Sequence, residues 1–558
     1  MASFLKDRGS QRNIRLLLRF LTVLVLLVCL FTVLFHVLME REGQEHSWLT
    51  GFYLTLTVMS TLGFGDITFS SDLGRLFSVF VLLSGMFFLL VLLPFTFIEV
   101  FYAPWMEAQS AARAPRELPE SVRGHVIITH ENPVTTALVH KLKQYNYPYV
   151  MVVADLDKAL RLHDQGINVV VGDQDKPDTY QRVRIKQAAL VSATGTDAVN
   201  TNIAFTVREL SDTVPIITTA SSEAAADVLR LAGSSHVVRL DELMGQSLAR
   251  RTIGGDAVAH IIGQFDKLLI AEATATGTPL VGKTIAESRL REMIGVTIIG
   301  VWERGRFDVA KPDTPITATT VLVLAGSSEQ LHKYDELFCI YHVTESPAII
   351  IGGGRVGRAT GRALQERNLD FCIIEKLAAR VRSGKARYMI GDAAEFETLE
   401  KAGLMQAPSV IITTHDDDTN IYLTLYCRKL RPDIQIISRA TLERNVSTLH
   451  RAGADFVMSY SSMGANIIFN LLKRSDILML AEGLNVFKMK IPESLVGKTL
   501  AESAIREQTS CSVIALQKKE ELLINPDPKI PFEADTYIIL IGSFEAENQF
   551  LKLYGKAG

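Results

Sequence analysis

Cysteine is scarce in this sequence. Five of the 558 residues are cysteine, and no two of them form a Cys-x-x-Cys pair. The twelve histidines show no zinc-ligand spacing either. Because disulfide and zinc frameworks need closely spaced ligands, both classes are excluded. We expect reduced, mostly buried thiols at Cys29, Cys339, Cys372, Cys427 and Cys511.

An excess of charge of either sign is also missing. The chain has 58 Lys and Arg against 61 Asp and Glu, a net charge of −3. Nucleic-acid-binding domains usually show a basic bias, so we expect no nucleic-acid partner. Charged residues make up 21 %, too many for a wholly intramembrane protein, yet the mean hydropathy of +0.19 is high for a soluble one. The average therefore predicts two unlike parts.

Two long segments, 20–39 and 76–98, contain no charged residue. Each has about the 20 residues that a helix needs to cross a hydrocarbon core of about 30 Å. The first is too long for a signal peptide and lacks a small-residue cleavage site. We therefore expect two transmembrane helices in a pore domain over 1–102.

Flanking charge predicts the orientation of these helices. Basic residues precede the first and follow the second, which places both termini in the cytoplasm. The loop between them is acidic and external, and an acidic mouth concentrates cations. The basic residues are Lys6, Arg8, Arg12, Arg15, Arg19, Arg113, Arg116 and Arg123, and the acidic ones are Glu40, Glu42, Glu45, Asp66 and Asp72.

The segment between the two helices carries the pore motif. A short apolar stretch, 48–60, predicts a helix too short to span, and a glycine-punctuated loop follows it. Such backbone is tolerated at membrane depth where it lines a water-filled path. Alternate glycines let successive carbonyls face one way. Carbonyl oxygens aligned in this manner can replace the hydration shell of K⁺. The loop is Thr61, Leu62, Gly63, Phe64, Gly65 and Asp66, and the first four would ligate K⁺.

This loop resembles the potassium-channel signature Thr-Val-Gly-Tyr-Gly-Asp, with Leu62 in place of Val and Phe64 in place of Tyr. Phe64 lacks the phenol that could brace the filter by a hydrogen bond. The alternative is a glycine-rich turn between two anchoring helices. The order of long helix, short helix, loop and long helix argues against that alternative.

Three residues of the second helix are gating candidates: Gly85, Pro94 and Glu99. Glycine loosens a helix and proline removes a backbone hydrogen bond, so both can kink it. Gly85 is either a hinge or a packing site, since glycine is frequent in membrane helices. Glu99 either lines the inner mouth of the pore or faces the headgroups.

From about residue 124, short apolar strands alternate with amphipathic helices, which predicts a parallel α/β fold. The segment 280–288 recurs as 495–503 with eight of nine residues identical. We therefore expect a linker (103–123) and two similar Rossmann-like modules, each with a smaller C-terminal α+β lobe. Their lobes and connectors are 124–240, 241–267 and 268–343 in the first module and 344–460, 461–482 and 483–558 in the second.

The second module contains a dinucleotide-binding fingerprint. Gly352, Gly354 and Gly357 follow a strand and precede a helix, and Glu375 ends the next strand. The glycines permit a tight turn, close phosphate approach and helix packing, while the acid binds ribose hydroxyls. Phosphates would lie at the helix N-terminus. Further candidates are Arg355, Val356, Asp392, Ala393, Thr413, His415 and Asp416. The alternative is a related fold that has lost nucleotide binding.

The first module has no such glycines. Residues 129–134, Thr-His-Glu-Asn-Pro-Val, occupy the equivalent positions, and Glu131 would repel phosphate. We expect no dinucleotide there, although Asp155 still ends the second strand. The site is either vacant or adapted to another ligand.

Two acidic clusters are candidate calcium sites, although neither matches the EF-hand spacing. Solvated loops and helix caps are the alternative explanation. The clusters are Asp173, Asp175 and Asp178 in the first module and Asp416, Asp417 and Asp418 in the second.

Together, the pore motif, the fingerprint and the duplicated modules resemble prokaryotic potassium channels gated by RCK (regulator of K⁺ conductance, TrkA-type) domains. The resemblance implies a homotetramer in the plasma (inner) membrane, with eight modules from four chains. It also implies regulation by NAD, by ADP or ATP, or by Ca²⁺. The expected function is ligand-gated K⁺ conduction, in which segment 103–123 transmits changes in the modules to the pore. The alternatives are a membrane-anchored nucleotide sensor and an NAD-dependent oxidoreductase; we expect no enzyme.

Overall fold

The computed structural model describes residues 8–102, 106, 115–252, 259–275, 277–303, 306–338, 346–381, 387–472, 477–479, 484–519 and 521–554. Cys339 and most of the linker lie outside them. The chain forms two compact units. One contains Met1–Pro115 and Leu156–Arg161, and the other contains Arg116–Asp155 and Leu162–Gly558. We describe each unit by itself.

The N-terminal unit is helical. An outer helix, Arg8–Arg41, is followed by a pore helix, Trp48–Met59, and an inner helix that begins at Asp72. Ser47 and Ser71 cap the last two by accepting backbone N–H groups. The segments Leu17–Arg41 and Asp72–Phe97 are long and apolar enough to cross a membrane. The two predicted transmembrane segments therefore fall within the outer and inner helices.

The inner helix changes its hydrogen-bond pattern along its length. It is α-helical over Asp72–Gly85, π-helical over Met86–Leu92, α-helical over Leu93–Phe97 and π-helical over Ile98–Tyr102. Pro94 lacks an N–H, and the N–H of Leu93 bonds to the carbonyl of Phe88, five residues back. The π-helical turn thus ends just before Pro94, the residue without a backbone donor. A membrane helix is expected to deform at such a position.

The C-terminal unit contains two parallel six-stranded sheets with the same strand order, 3-2-1-4-5-6. Their strands are short and rich in Val and Ile, and the central ones are buried, as expected of sheets covered on both faces. The edge strand Arg387–Ile390 is more exposed. The sixth strand of each sheet was not predicted. The strands are β1 Val126–Ile128, β2 Tyr149–Val153, β3 Val169–Val171, β4 Leu190–Ala193, β5 Ile216–Thr219, β6 His236–Val238, β12 Ala348–Ile351, β13 Phe371–Glu375, β14 Arg387–Ile390, β15 Ser409–Ile412, β16 Gln435–Ala440 and β17 Phe456–Ser459.

Each module ends in an antiparallel five-stranded lobe. The first strand of each lobe, His260–Phe265 or Ile477–Met479, lies inside the range that the sequence assigned to a connector. The strands are β7 His260–Phe265, β8 Leu268–Thr274, β9 Thr297–Glu303, β10 Arg306–Val309, β11 Val321–Gly326, β18 Ile477–Met479, β19 Leu484–Lys490, β20 Ser512–Lys518, β21 Glu521–Ile524 and β22 Tyr537–Ser543.

Helices flank these sheets. From residue 116 on, their bounds are Pro133–Gln144, Leu156–Asp164, Pro177–Arg182, Asp197–Leu210, Glu223–Leu231, Leu240–Arg250, Ile285–Ser288, Leu290–Ile294, Ser328–Phe338, Arg355–Glu366, Phe396–Ala402, Asp417–Leu430, Val446–Ala452, Tyr460–Leu472, Ile505–Thr509 and Phe544–Tyr554. The fold class predicted from the sequence is confirmed.

The two modules pack on each other reciprocally. Helix Leu240–Arg250 of the first lies on Arg355–Glu366 of the second, and Tyr460–Leu472 of the second lies on Pro133–Gln144 of the first. One apolar core contains Leu268 and Trp302 from the first module together with Ile350 and Ile539 from the second. This exchange brings residues of the first module next to the fingerprint of the second.

Candidate functional site: pore loop and nucleotide cavity

The pore loop has an alternating backbone. Thr61, Gly63 and Gly65 have φ values of 62°, 43° and 74°. This left-handed region suits glycine, whereas for a threonine it costs about 1–2 kcal/mol. The carbonyl of Thr57, in the pore helix, accepts the N–H groups of Leu62 and Gly63 at 2.9 and 3.3 Å and holds the start of the loop.

A pore-helix tyrosine holds the other end of the loop. Tyr53 Oη donates to Asp66 Oδ2 at 3.1 Å. The Tyr53 ring is parallel to the Phe64 ring, with 6.4 Å between centroids and 2° between planes. No sequence pattern indicated Tyr53, because local sequence does not show which face of the pore helix meets the loop.

The three gating candidates have different surroundings. A Cβ on Gly85 would lie 2.2 Å from the carbonyl oxygen of Met59, at the end of the pore helix. This contact provides a packing reason for Gly85, which is also the last residue before the π-helical segment. Pro94 lies in the first turn of Leu93–Phe97, and Glu99 is exposed.

In the second module, the predicted nucleotide residues surround one cavity of about 880 Å³. This volume lies in the usual range for ligand sites of about 300–1,000 Å³. Gly357 does not line the cavity; it packs beneath it, where a Cβ would lie 1.9 Å from the carbonyl oxygen of Gly352. The lining includes Gly352, Gly354, Arg355, Val356, Glu375, Asp392, Ala393, Thr413, His415 and Asp416.

The turn before helix Arg355–Glu366 leaves the helix N-terminus open. Gly352 has a φ of 103°, which only glycine adopts readily. Gly354 is the N-cap residue, and no side chain caps the helix there. A Cβ at Gly354 would meet no atom within 4 Å. The first N–H groups of this helix are therefore available to an anion, which the helix dipole also favours.

Glu375 lies beside this turn and is 5 % exposed. Its Oε2 accepts the Gly353 N–H at 2.9 Å, and its Oε1 accepts the Leu377 N–H at 2.9 Å. Each carboxylate oxygen keeps a second lone pair. The side chain is thus fixed by backbone donors and can still accept hydrogen bonds from ribose hydroxyls.

Neighbouring strand ends complete the cavity wall. Lys376 Nζ lies 2.6 Å from Asp392 Oδ2, and this hydrogen bond lowers the pKa of Asp392. Thr413 Oγ1 donates to the Gly352 carbonyl at 2.9 Å. Asp416 caps helix Asp417–Leu430, and its hydrogen bond from Thr419 lowers its pKa. Residues from three successive strand ends therefore meet at one edge of the sheet.

The first module and the strand Gln435–Ala440 also contribute residues to this cavity. The sequence did not predict these contributions. Asp241, Arg439 and Tyr460 line it, and Asp241 Oδ2 lies 2.7 Å from Arg355 Nε. The Arg439 guanidinium lies 4.6 Å from the centroid of the Tyr460 ring. No sequence signal identifies Asp241, since its place depends on how the modules pack.

The equivalent helix of the first module closes its own N-terminus. The Asn132 side chain accepts the Thr135 N–H at 3.0 Å, and Thr135 Oγ1 accepts the Asn132 N–H at 2.9 Å. Pro133, in the first turn, supplies no N–H. This capping box uses the donors that would bind phosphate. The Asn-Pro-x-Thr pattern was visible in the sequence but was not read as a cap.

The acidic clusters are engaged with protein groups. Asp173 pairs with Lys176 at 2.5 Å, and Asp178 pairs with Arg182 at 2.9 Å. Asp417 accepts hydrogen bonds from the backbone of Thr441 and Leu442 and from Asn445. In the described ranges, no group of three His, Cys, Asp or Glu residues could hold a metal ion. The calcium expectation gains no support from this part of the chain.

Four of the five cysteines are described, and none of these forms a disulfide. Cys372, Cys427 and Cys511 are buried, whereas Cys29 is exposed. Burial raises the pKa of Cys427 and of Cys511 to about 12, which keeps both thiols protonated and unreactive.

The chain matches three family models. An ion channel model matches residues 22–101, the TrkA-N domain matches 126–240 and 348–460, and the TrkA-C domain matches 270–338 and 486–555. Among curated proteins, potassium channel protein 1 of Methanocaldococcus jannaschii is 26 % identical over 323 residues, which cover 56 % of this chain and 94 % of that protein.

Solved structures match over more of the chain. The GsuK channel bound to NAD is 38 % identical and covers 98 % of this chain and 100 % of that one, with a TM-score of 0.60. The GsuK RCK domain is 37 % identical and covers 80 % of this chain and 99 % of that one, with a TM-score of 0.59.

Proposed function

Because the chain belongs to the family of potassium channels with RCK domains, we propose that it is a K⁺ channel gated by an adenine dinucleotide, NAD, bound to its second module. The observation that carries the proposal is the presence, in one chain, of a channel loop and of an uncapped fingerprint helix beside a fixed acid.

In this proposal, the backbone carbonyls of Thr61, Leu62, Gly63 and Phe64 coordinate K⁺ in single file. Carbonyl ligands replace the hydration shell, and several weak sites in series allow passage. The loop backbone supports this role, because its left-handed residues alternate. Tyr53 and Thr57 support it by holding the two ends of the loop.

NAD fits the groups around the cavity. Its pyrophosphate would bind the open N-terminus of helix Arg355–Glu366, and Glu375 would accept the ribose hydroxyls. Lys376 is paired with Asp392, and the Glu375 carboxylate would repel a 2′-phosphate. We therefore expect NAD to bind more tightly than NADP.

Four chains would surround one pore and contribute eight modules, with both termini in the cytoplasm of a prokaryotic cell. The exposed apolar side chains on the pore helix support this assembly. Leu49 is 76 % exposed and Phe52 is 45 % exposed in the single chain, and neighbouring subunits would cover them. NAD gates such a pore only if it binds the open and closed states with different affinity.

Planar-bilayer recording of the purified protein tests the conduction step. We expect a reversal potential near that of K⁺ under opposed K⁺ and Na⁺ gradients, and loss of current in Gly63→Ala. An anchored sensor would pass no current in either form.

Adding NAD to the cytoplasmic side tests the regulatory step. Open probability should change in the wild type, and Gly354→Asp should remove the effect while leaving the current. Consumption of NAD or hydride transfer would instead indicate an oxidoreductase, and a current that ignores NAD would refute the regulatory proposal.

A further inference from the structure

Arg355, the arginine of the fingerprint, forms an ion pair with Asp241 of the first module. Arg355 is the first residue of the uncapped helix, and its Nε lies 2.7 Å from Oδ2 of Asp241. Asp241 lies in the first turn of helix Leu240–Arg250, in the first module. The Asp241 side chain is 18 % exposed and that of Arg355 is 60 % exposed. A carboxylate of one module thus lies where the other would bind phosphate.

Arg439 and Tyr460 lie near this ion pair. Arg439, Tyr460, Arg355 and Asp241 line both the nucleotide cavity and a smaller cavity of about 450 Å³ at the switch point of the first module. Arg439 is 9 % exposed, and its Nε has no hydrogen-bond partner in the part of the chain that the structure describes. A buried cation is costly unless an anion or an acceptor compensates it. Burial lowers the pKa of Arg439, and Tyr460 and the Asp241 and Asp417 carboxylates partly oppose that effect. Asp241 therefore lies near two guanidinium groups, those of Arg355 and Arg439.

We propose that Asp241 is an intramolecular anion that competes with the nucleotide's phosphates for Arg355. This inference rests on the proposed function, since it assigns a regulator to the same site. A phosphate at the helix N-terminus brings negative charge beside the Asp241 carboxylate, and like charges repel. Phosphate is the stronger partner there, because it also accepts the open N–H groups of the helix. Nucleotide binding then separates Asp241 from Arg355.

The competition links nucleotide binding to the contact between modules. Helix Leu240–Arg250 packs closely on Arg355–Glu366, and a Cβ on Gly245 would lie 2.5 Å from the Cβ of Ala359. Glu242 pairs with Arg362 along the same contact. A ligand that releases Asp241 therefore removes an ion pair that holds these helices together. By thermodynamic linkage, any movement that withdraws Asp241 strengthens nucleotide binding.

The experiment is calorimetric titration of the full chain in detergent with NAD, in the presence of EDTA so that no divalent cation bridges carboxylate and phosphate. Asp241→Asn removes the competing charge and keeps the side-chain volume. Because a partly exposed ion pair contributes modestly, we expect its Kd to fall about three- to tenfold. Asp241→Ala, which also removes the amide that could still bond to Arg355, should tighten binding at least as much.

Glu242→Gln is the matched control. Its ion pair belongs to the same helix contact, with 19 % exposure for Glu242 and 55 % for Arg362, but neither residue lines either of the two cavities described above. Its Kd should stay within about twofold of the wild-type value. Thermal unfolding of each variant identifies loss of fold.

Each outcome decides between explanations. Unchanged or weaker NAD binding in both folded Asp241 variants would overturn the competition. Equal tightening in Glu242→Gln would also overturn it, because a loosened helix contact would then be the cause. Absence of NAD binding in the wild type and in every variant would instead overturn the proposed nucleotide site.

Discussion

At the scale of single residues, the hydroxyl that Phe64 lacks is supplied by Tyr53 of the pore helix. Phe64 carries no phenol, but the parallel ring of Tyr53 does, and it donates to Asp66. A neutral donor bonded to a carboxylate makes a stronger hydrogen bond than a neutral pair does. The end of the loop is therefore braced from the pore helix instead of from within the loop.

We predict that Tyr53→Phe weakens this brace while preserving the ring stack. The K⁺ over Na⁺ permeability ratio should fall severalfold, because a less rigid loop tolerates a different ion size. Reversal potentials under mixed gradients measure the ratio. Asp66→Asn serves as the second arm of a double-mutant cycle, and effects that simply add in the double variant would contradict the interaction.

At the scale of helices, two equivalent N-termini differ in how they satisfy their donors. Asn132, Pro133 and Thr135 close the helix of the first module, whereas Gly354 leaves that of the second open. The two lobes share one sheet topology, so the difference lies in the first turn. The predicted absence of a dinucleotide from the first module thus requires no change of fold.

We predict that Gly354→Asn caps the N-terminus of helix Arg355–Glu366, as Asn132 caps the equivalent helix of the first module. Gly354 has a φ of −65°, and the space around its Cβ position is empty, so asparagine fits without strain. NAD binding should be lost. The unfolding temperature should stay equal or rise slightly, since an Asn N-cap stabilises a helix more than a Gly N-cap does, by about 0.3 kcal/mol. Calorimetry and thermal unfolding check the two parts.

The contrasting variant is Gly357→Ala. Its Cβ would overlap the Gly352 carbonyl, so it should lose stability as well as NAD binding. If Gly354→Asn instead bound NAD normally, the open N-terminus would not be the phosphate site.

The inner helix poses a different question, namely whether Gly85 acts as a hinge or as a packing site. Its backbone contact with Met59 admits no side chain. We predict that Gly85→Ala lowers the stability of the proposed tetramer in detergent and reduces current by displacing the pore helix, because overpacking costs about 1–3 kcal/mol. Ser84→Ala, one residue earlier, should have little effect. A fully stable Gly85→Ala tetramer with altered gating would favour the hinge.

At the scale of the whole molecule, the buried His125 and the partly buried His450 link stability to pH. His125 and His450 each bond a backbone carbonyl, of Val183 and Ala454, through one ring nitrogen, and the other nitrogen has no partner within the described ranges. Burial lowers the pKa of both histidines, an effect that the carbonyl bonds partly offset.

The unfolded chain binds protons at these histidines near pH 6.5, whereas the folded chain holds them neutral. Their contribution to stability is therefore present above about pH 6.5 and decreases as the pH falls below it. We predict that the unfolding temperature drops between pH 7.5 and 5.5. The slope should be smaller in a His125→Gln, His450→Gln variant, and an unchanged slope would exclude these residues as its source.

Much of this architecture followed from local sequence. Uncharged runs of spanning length predicted the helices, the glycine spacing predicted the pore loop, and the fingerprint with Glu375 predicted which residues share a cavity. These features could be predicted because periodicity, glycine conformation and strand-end geometry act between residues that are near in sequence or fixed by one sheet.

Other features depended on the tertiary structure. The contact of Tyr53 with Asp66 depends on the orientation of the pore helix, and the contact of Gly85 with Met59 depends on how two helices cross. The pairing of Asp241 with Arg355 joins residues more than a hundred positions apart. The duplication was evident from the repeats, but only the packed chain places a carboxylate of the first copy beside the proposed phosphate site of the second. The physical reason is that apolar surfaces pack through their total burial, which no local pattern encodes.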